Sequence, residues 1–315
     1  MQFTVRYPMS QSGCSPQFHN PENLAQFSAV AERAGFSAIA FTEHPAPSEK
    51  WLHAGGHDAL DPFAALSFCA AITTRLKLMT YLAVLPYRNP LLAAKSAATV
   101  DVLSRGRLIL GVGAGYLRSE YAALGVDFAE RNALLDEAIE TMREIWTGVA
   151  LVRRGRHFNA LAQVATPLPT QRPSPPFWIG GNSRSARRRV ARYGDGWSPL
   201  INDDKAANTT RTARLSTPAD LAAAVHELRG ELVAVGREPD CVAVQVQMAQ
   251  SRMPLAHESA FEYLDNLARY AEAGANWCVV DVPGGGIEEA VEAMDAFGES
   301  VICALGGMVG LGDAG

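Results

Sequence analysis

Short runs of β-branched and aliphatic residues recur along this chain, each followed by a longer, often Ala-rich stretch of helical period, and no linker interrupts the series. This alternation is the tightest constraint on the fold. Parallel strands need a crossover of a dozen or more residues between them, usually a helix. Strands are predicted over residues 3–5, 38–41, 76–84, 107–111, 177–179, 196–198, 242–246 and 277–280. Helices are predicted over 23–34, 92–103, 130–146, 185–193, 218–235, 261–273 and 288–305. In the first helix Leu24, Phe27, Ala31 and Ala34 recur three or four apart, and Gly35 ends it. The helix over 130–146 gathers Leu134, Ile139, Met142 and Ile145 near one face. Thr217 is a suitable N-cap, with Pro218 at the first helical position.

About eight strand–helix units in one chain of 315 residues point to the α/β class, as a closed (β/α)8 TIM barrel. An open doubly wound sheet is the alternative. The barrel is expected to form a single domain over 1–305, with a loose Gly-rich tail at 306–315. Two insertions stand out, 45–61 after the second strand and 148–176 before the fifth. Loops of that length in a compact domain are usually functional.

Charge narrows the function. The 28 Lys and Arg against 33 Asp and Glu give a net charge of −5, which argues against a nucleic-acid partner. No run of about 18 apolar residues is present, so no membrane span is expected. The start, Met1-Gln2-Phe3-Thr4-Val5-Arg6, reads as a strand and not as a signal peptide. Five scattered cysteines with no Cys-x-x-Cys fit reduced thiols in a cytoplasmic protein.

In a barrel the active groups sit at the C-terminal strand ends. Here those ends carry Tyr7-Pro8-Met9, Thr42-Glu43-His44, Tyr81-Leu82-Ala83, Gly111-Val112-Gly113-Ala114-Gly115-Tyr116, Gly180-Gly181-Asn182-Ser183, Trp197-Ser198, Gln245 with Gln247, and Asp281. No Gly-x-Ser-x-Gly elbow and no phosphate-binding Gly-x-x-x-x-Gly-Lys loop occurs. His44, just beyond a strand, is placed to exchange a proton near neutral pH; a loop His bonded to backbone is the plainer reading. Gly180-Gly181-Asn182-Ser183 opens a helix and suits an anion, with a capped turn as the alternative. The strand-four glycines fail the dinucleotide fingerprint, because the third glycine would fall at Tyr116. They read better as a bare strand end for a flat ring, or as a tight turn. His53, His57, Asp58 and Asp61 match no zinc spacing, and no metal is expected.

Taken together, Phe41-Thr42-Glu43-His44, Pro86-Tyr87-Arg88-Asn89-Pro90, Leu103-Ser104-Arg105-Gly106-Arg107 before the strand-four glycines, and Trp178-Ile179-Gly180-Gly181 before Gly194-Asp195-Gly196-Trp197 resemble the bacterial luciferase-like superfamily of flavin and deazaflavin enzymes. The resemblance spans residues 1 to about 305 and is nearest to the branch using coenzyme F420. It implies a deazaflavin in the barrel mouth, against a strand-three bulge at Tyr81, Leu82 and Ala83, often with a non-prolyl cis peptide. Ala114 and Gly115 would pass beside the cofactor, and Gly180, Gly181, Asn182 and Ser183 would hold its phosphate. His44 would stand near the reacting carbon, supported by Glu43. Some relatives that oxidise sugar phosphates carry a Glu after the strand-four glycines; here Tyr116 stands instead and could donate a hydrogen bond.

The implied reaction is hydride transfer between the deazaflavin and a small organic substrate, with His44 handling the proton and Tyr7, Trp51, Tyr116 and Trp197 forming an apolar substrate wall. One rival is an FMN-dependent monooxygenase using reduced flavin from a separate reductase and O2. Another is a non-catalytic flavin-binding protein. A homodimer is expected by base rate and by the resemblance.

Overall fold

The computed structural model describes residues 1–202, 207, 212–253 and 257–305; the expected tail at 306–315 lies outside the described residues. Strands β1 (Gln2–Arg6), β2 (Ala38–Phe41), β3 (Lys77–Thr80), β4 (Leu108–Gly113), β5 (Phe177–Gly180), β6 (Gly196–Ser198), β7 (Ala243–Arg252) and β8 (Trp277–Asp281) run parallel. The hydrogen-bonded order runs from β3 through β2, β1, β8, β7, β6 and β5 to β4, and β3 pairs with β4 through Leu78↔Leu108 and Met79↔Ile109. That last pairing closes the sheet, so the fold is a (β/α)8 TIM barrel and the open sheet is excluded. A short continuation of the third strand, Ala83–Val84, rejoins β4 at Val112 and Gly113. Between the two pieces the Tyr81–Leu82 peptide is cis.

The helical layer comprises α1 (Pro21–Arg33), α2 (Pro62–Ile72), α3 (Pro90–Leu103), α4 (Arg131–Ile145), α5 (Arg184–Tyr193), α6 (Pro218–Ala234), α7 (His257–Glu272) and α8 (Ile287–Phe297). Four of them start the same way. Asn20, Asp61, Asn89 and Thr217 each accept a first-turn N–H on their side chain and are followed by Pro. Each cap contributes about 1 kcal/mol. Apolar periodicity alone places the starts of α1 and α3 two residues late, because their first turns precede the first apolar repeat. The periodicity reading misses α2 altogether. That helix buries Phe63, Ala65, Leu66, Cys69 and Ala70 and has little polar face to mark a period. The last helix breaks at Phe297 into a π-turn over Gly298–Ile302, where a side chain at Gly298 would meet the Ala34 carbonyl at 2.6 Å.

Strand alternation sorts the core into two parts. Phe3, Val5, Ile39, Leu108, Leu110, Val112, Phe177 and Ile179 face the helices in the main cluster. Ala38, Ala40, Met79, Ile109, Trp178 and Trp277 fill the barrel interior. Gln245 lies in the interior as well, satisfied by Thr4 at 2.9 Å and Ser198 at 3.3 Å. The 148–176 insertion forms an antiparallel hairpin, Leu151–Arg154 with Asn159–Gln163. Arg153 and Arg156 tie it to Glu140, Glu144 and Glu130 at the outer side of α4. It contributes nothing to the cavity described below, whereas the 45–61 insertion contributes His57. Among the described residues no helix is long and apolar enough to cross a membrane. All five cysteines are free thiols.

Candidate active site

The C-terminal strand ends open into a cavity of about 460 Å³, within the usual range for small-molecule and cofactor sites. Alternation decides who reaches it. Arg6, Thr42, Tyr81, Gly180, Ser198 and Gln247 occupy inward positions and line it. Tyr7 and Trp197 are one residue out of phase. The Tyr7 ring is buried among Phe18, Phe27 and Phe41, with its hydroxyl donating to the Phe18 carbonyl at 2.7 Å. Trp197 is fully buried in the outer layer and donates to the Gly181 carbonyl at 2.9 Å. Neither belongs to a substrate wall, which corrects the expectation for both. Ala83 is also withdrawn, buried opposite Val112.

His44 lines the cavity, and its Nδ1 lies 3.2 Å from Glu120 Oε2. Glu120, on the short helix Arg118–Ala123, is 1% exposed and also accepts the Tyr87 hydroxyl at 3.0 Å and the Ala46 N–H at 3.3 Å. Burial, and then the charge of Glu120, push the Tyr87 hydroxyl far above its ordinary pKa, so it stays a donor. With donors gathered around it, Glu120 acts as the acceptor, and His44 therefore carries its proton on Nδ1. Nε2 is left bare as the basic nitrogen, the arrangement by which a carboxylate fixes a catalytic imidazole. Sequence reasoning missed Glu120. Its one available signal was the spacing, four residues beyond Tyr116.

Three rings surround His44: Trp51 at 4.5 Å, His57 at 5.0 Å and Tyr116 at 6.1 Å between centroids. Trp51 packs behind His44 and hydrogen-bonds Tyr116; it is not itself among the cavity-lining residues. Burial first, and the nearby Glu120 second, push the Tyr116 hydroxyl up to about 12, so it too remains protonated. His57 Nδ1 lies 2.8 Å from the Asp58 carbonyl, which only accepts, so this nitrogen holds the proton. Burial lowers the His57 pKa below the ordinary imidazole value; the Asp58 carbonyl opposes it, and the Arg6 charge adds to it. On the floor, Arg6 grips Asp281 through Nε and Nη2 at 2.7 and 2.9 Å, and Gln247 donates to the same carboxylate at 3.0 Å.

Glu43 makes no hydrogen bond to His44. It lines the cavity beside Thr42, but its carboxylate accepts the Val84 N–H at 2.6 Å and the Arg88 guanidinium. Burial pushes its carboxyl up, against the opposing pull of Arg88. Arg88 also reaches Asp61 at 2.7 Å, the N-cap of α2. Glu43 thus clamps both ends of the 45–61 insertion to the third strand, placing Trp51 and His57 indirectly.

The bare strand end has an occupant within the fold. A side chain at Gly111 would meet the Thr80 carbonyl at 2.0 Å; at Gly180 it would meet Leu82 at 2.1 Å, and at Gly113 the same Leu82 at 3.2 Å. These glycines make room for the third-strand bulge, and Leu82 lies between them facing the cavity. Ala114 and Gly115 line the cavity beside it.

At the far end Gly180, Gly181 and Ser183 line the cavity, while the Asn182 side chain turns away. Asn182 holds the Leu200 and Ala213 carbonyls at 2.7 and 2.8 Å and accepts the Leu200 N–H at 2.8 Å, so it braces loops and does not contact a ligand. Ser183 caps α5 through the Ala186 N–H at 3.2 Å and bonds the Ser185 hydroxyl at 2.8 Å. Arg131 and Arg189 also line this end, Arg189 held against Asp136. A helix N-terminus with hydroxyls and guanidinium groups suits a negatively charged tail. The apolar bulge at Leu82 suits a flat ring, so the residues present fit a phosphate-bearing flavin or deazaflavin.

The luciferase-like monooxygenase family matches residues 1–296, and the chain belongs to that family. An F420-dependent glucose-6-phosphate dehydrogenase of Gordonia bronchialis is 34% identical over 191 residues, 58% of this chain and 54% of the relative. An uncharacterized protein of Mycobacterium tuberculosis is 28% identical over 249 residues, 78% of each chain. Among solved structures, monooxygenase RslO1 from Streptomyces bottropensis superposes with a TM-score of 0.76 at 20% identity, covering 97% of this chain and 100% of that one. An F420-dependent secondary alcohol dehydrogenase bound to an F420-acetone adduct gives 0.75 at 17% identity, covering 96% and 98%. Such identities establish the shared fold, and the family membership makes the chain a luciferase-like oxidoreductase.

Proposed function

We propose that this protein is an F420-dependent oxidoreductase acting on a small organic alcohol or its carbonyl counterpart. The observation that carries the reading is the His44–Glu120 pair, which turns a basic nitrogen to a cavity whose other end is built for an anion. The F420-dependent glucose-6-phosphate dehydrogenases among the relatives support the choice of cofactor.

A bound deazaflavin supplies hydride acceptance or donation in the mouth. The chain's own residues do the rest. His44 Nε2 takes the substrate hydroxyl proton, and Glu120 stabilises the imidazolium that results. Tyr116 stays protonated and donates to the substrate oxygen. Leu82 and the strand-four glycines present an apolar shelf for the ring. Ser183, Ser185, Arg131 and Arg189 receive the charged tail. The reading includes a small-molecule substrate, a cytoplasmic location, in keeping with the scattered cysteines, and a homodimer, in keeping with base rate and the resemblance.

An FMN-dependent monooxygenase fed by a separate reductase is the second reading, supported by solved monooxygenases of this fold, one of them with FMN. Titrating apo-protein with F420 and with FMN separates the two. Tighter F420 binding and alcohol-dependent bleaching of the deazaflavin are expected. Tighter FMN binding with O2 consumption would reverse the assignment.

A further inference from the structure

His57 belongs to the 45–61 insertion and has no place in the proton transfer just described, yet it lines the same cavity as His44. Its ring lies edge-on to His44 at 5.0 Å and close to Trp51 at 5.4 Å, so both imidazoles are fixed by packing. The tautomers follow from their partners. His44 spends Nδ1–H on Glu120 and His57 spends Nδ1–H on the Asp58 carbonyl. Among the described residues neither Nε2 has a hydrogen-bond partner. Two imidazoles, each with an Nε2 unused by a neighbour, therefore line one cavity with ring centroids 5.0 Å apart, and the Tyr116 ring, 6.1 Å from His44 between centroids, adds a hydroxyl donor. A monohydric alcohol satisfies His44 and leaves the His57 acceptor without a substrate partner.

We propose that His57 is a second substrate-binding group, and that the site is built for a substrate bearing two neighbouring hydroxyls. The reacting hydroxyl meets His44, and the second donates to His57 Nε2 with no bond to it breaking. The Tyr116 hydroxyl donates to one of the two oxygens. The assignment rests on the oxidoreductase reading for which hydroxyl reacts. It does not rest on it for binding. Around His57 the charged or titratable groups are His44, Asp58 and Arg6, the last held by Asp281.

The test has two arms with cis-cyclohexane-1,2-diol and cyclohexanol as probes. In the first, imidazole nitrogens of the full-length apo-protein are followed by long-range proton–nitrogen NMR about one unit above the ordinary imidazole pKa of ~6.5. Both histidines are expected as Nδ1–H tautomers. The diol should move both Nε2 resonances, and cyclohexanol that of His44 alone. A proton on His57 Nε2, or a His57 signal indifferent to the diol, overturns the proposal. In the second arm the F420-loaded enzyme should prefer the diol in kcat/KM by about tenfold or more, the value of one hydrogen bond. His57→Phe should bring the diol-to-cyclohexanol ratio in kcat/KM down to about one, and His57→Gln, which restores an acceptor, should recover part of the preference. An unchanged preference in His57→Phe that still binds F420 also overturns it. If neither alcohol is oxidised but the diol still moves both imidazoles, the redox reading falls and the binding assignment stands.

Discussion

The two ends of the barrel use polar side chains in opposite ways. At the N-terminal end they are satisfied by the chain itself. Arg107, just before β4, donates to the carbonyls of Ser104, Leu76, Ala70 and Thr73 and to the Thr73 hydroxyl, at 2.6–3.0 Å. Glu32 accepts the N–H groups of Thr74, Arg75 and Leu76 at 2.6–2.8 Å and the Thr74 hydroxyl at 3.0 Å. At the C-terminal end, His44, His57 and Arg6 each use part of their capacity on a neighbour and present the remainder to a cavity. Stability is concentrated where hydrogen bonds are complete, and chemistry where they are left open.

Four substitutions test that division, the largest effect first. His44→Ala should lower turnover by about 10³-fold, or ~4 kcal/mol of barrier, with cofactor affinity and thermal stability nearly unchanged. Wild-type turnover in the variant would remove His44 from the chemistry. Arg107→Met should do the reverse. Stranding several carbonyls should cost about 3 kcal/mol in urea unfolding while kcat per folded molecule holds. A fall in kcat at full folding would blur the contrast between the two ends.

Glu120→Gln keeps the shape and loses the charge that stabilises the imidazolium. Turnover should fall about 30-fold, ~2 kcal/mol, with the acid limb of the pH–rate profile moved to lower pH, because the imidazolium loses its stabilising charge. An unmoved profile would make Glu120 a packing residue. The smallest effect belongs to Glu32. Burial raises its carboxyl, but the surrounding N–H donors outweigh that and hold it down at about 2. A depressed carboxyl adds stability above its unfolded value, and that stability is lost as pH falls from ~4.5 toward about 2. Because the group is partly in solvent, Glu32→Gln should cost only about 1 kcal/mol at neutral pH. The acid limb of the stability curve should flatten in that window; a steep limb retained in the variant would assign acid sensitivity to other groups.

Much of this was legible in the residues. The strands over 38–41 and 196–198 coincide with β2 and β6, the first an apolar run, the second a short segment between two helices. The position of His44 just beyond β2 followed in the same way. The phase of each strand was harder to read. Shifting the reading by one residue, back along β1 and forward along β6, would have replaced Tyr7 and Trp197 with Arg6 and Ser198, since neighbours on a strand point to opposite faces. Glu43 and Asn182 were misjudged for a related reason. Both are polar residues at the mouth, and only packing decides whether such a group faces the ligand or braces a loop.

The sequence by itself determined the class of fold and the placing of His44 just beyond β2 at the C-terminal end of the barrel, because these follow from periodicity and local residue type. The tertiary structure alone decided that Glu120 orients His44, that Leu82 fills the space left by the strand-four glycines, and that His57 stands beside His44. Those pairings join residues 76, 29 and 13 positions apart in their closest instances. Contacts of that kind are set by how the barrel closes, a geometry that no local run of residues encodes.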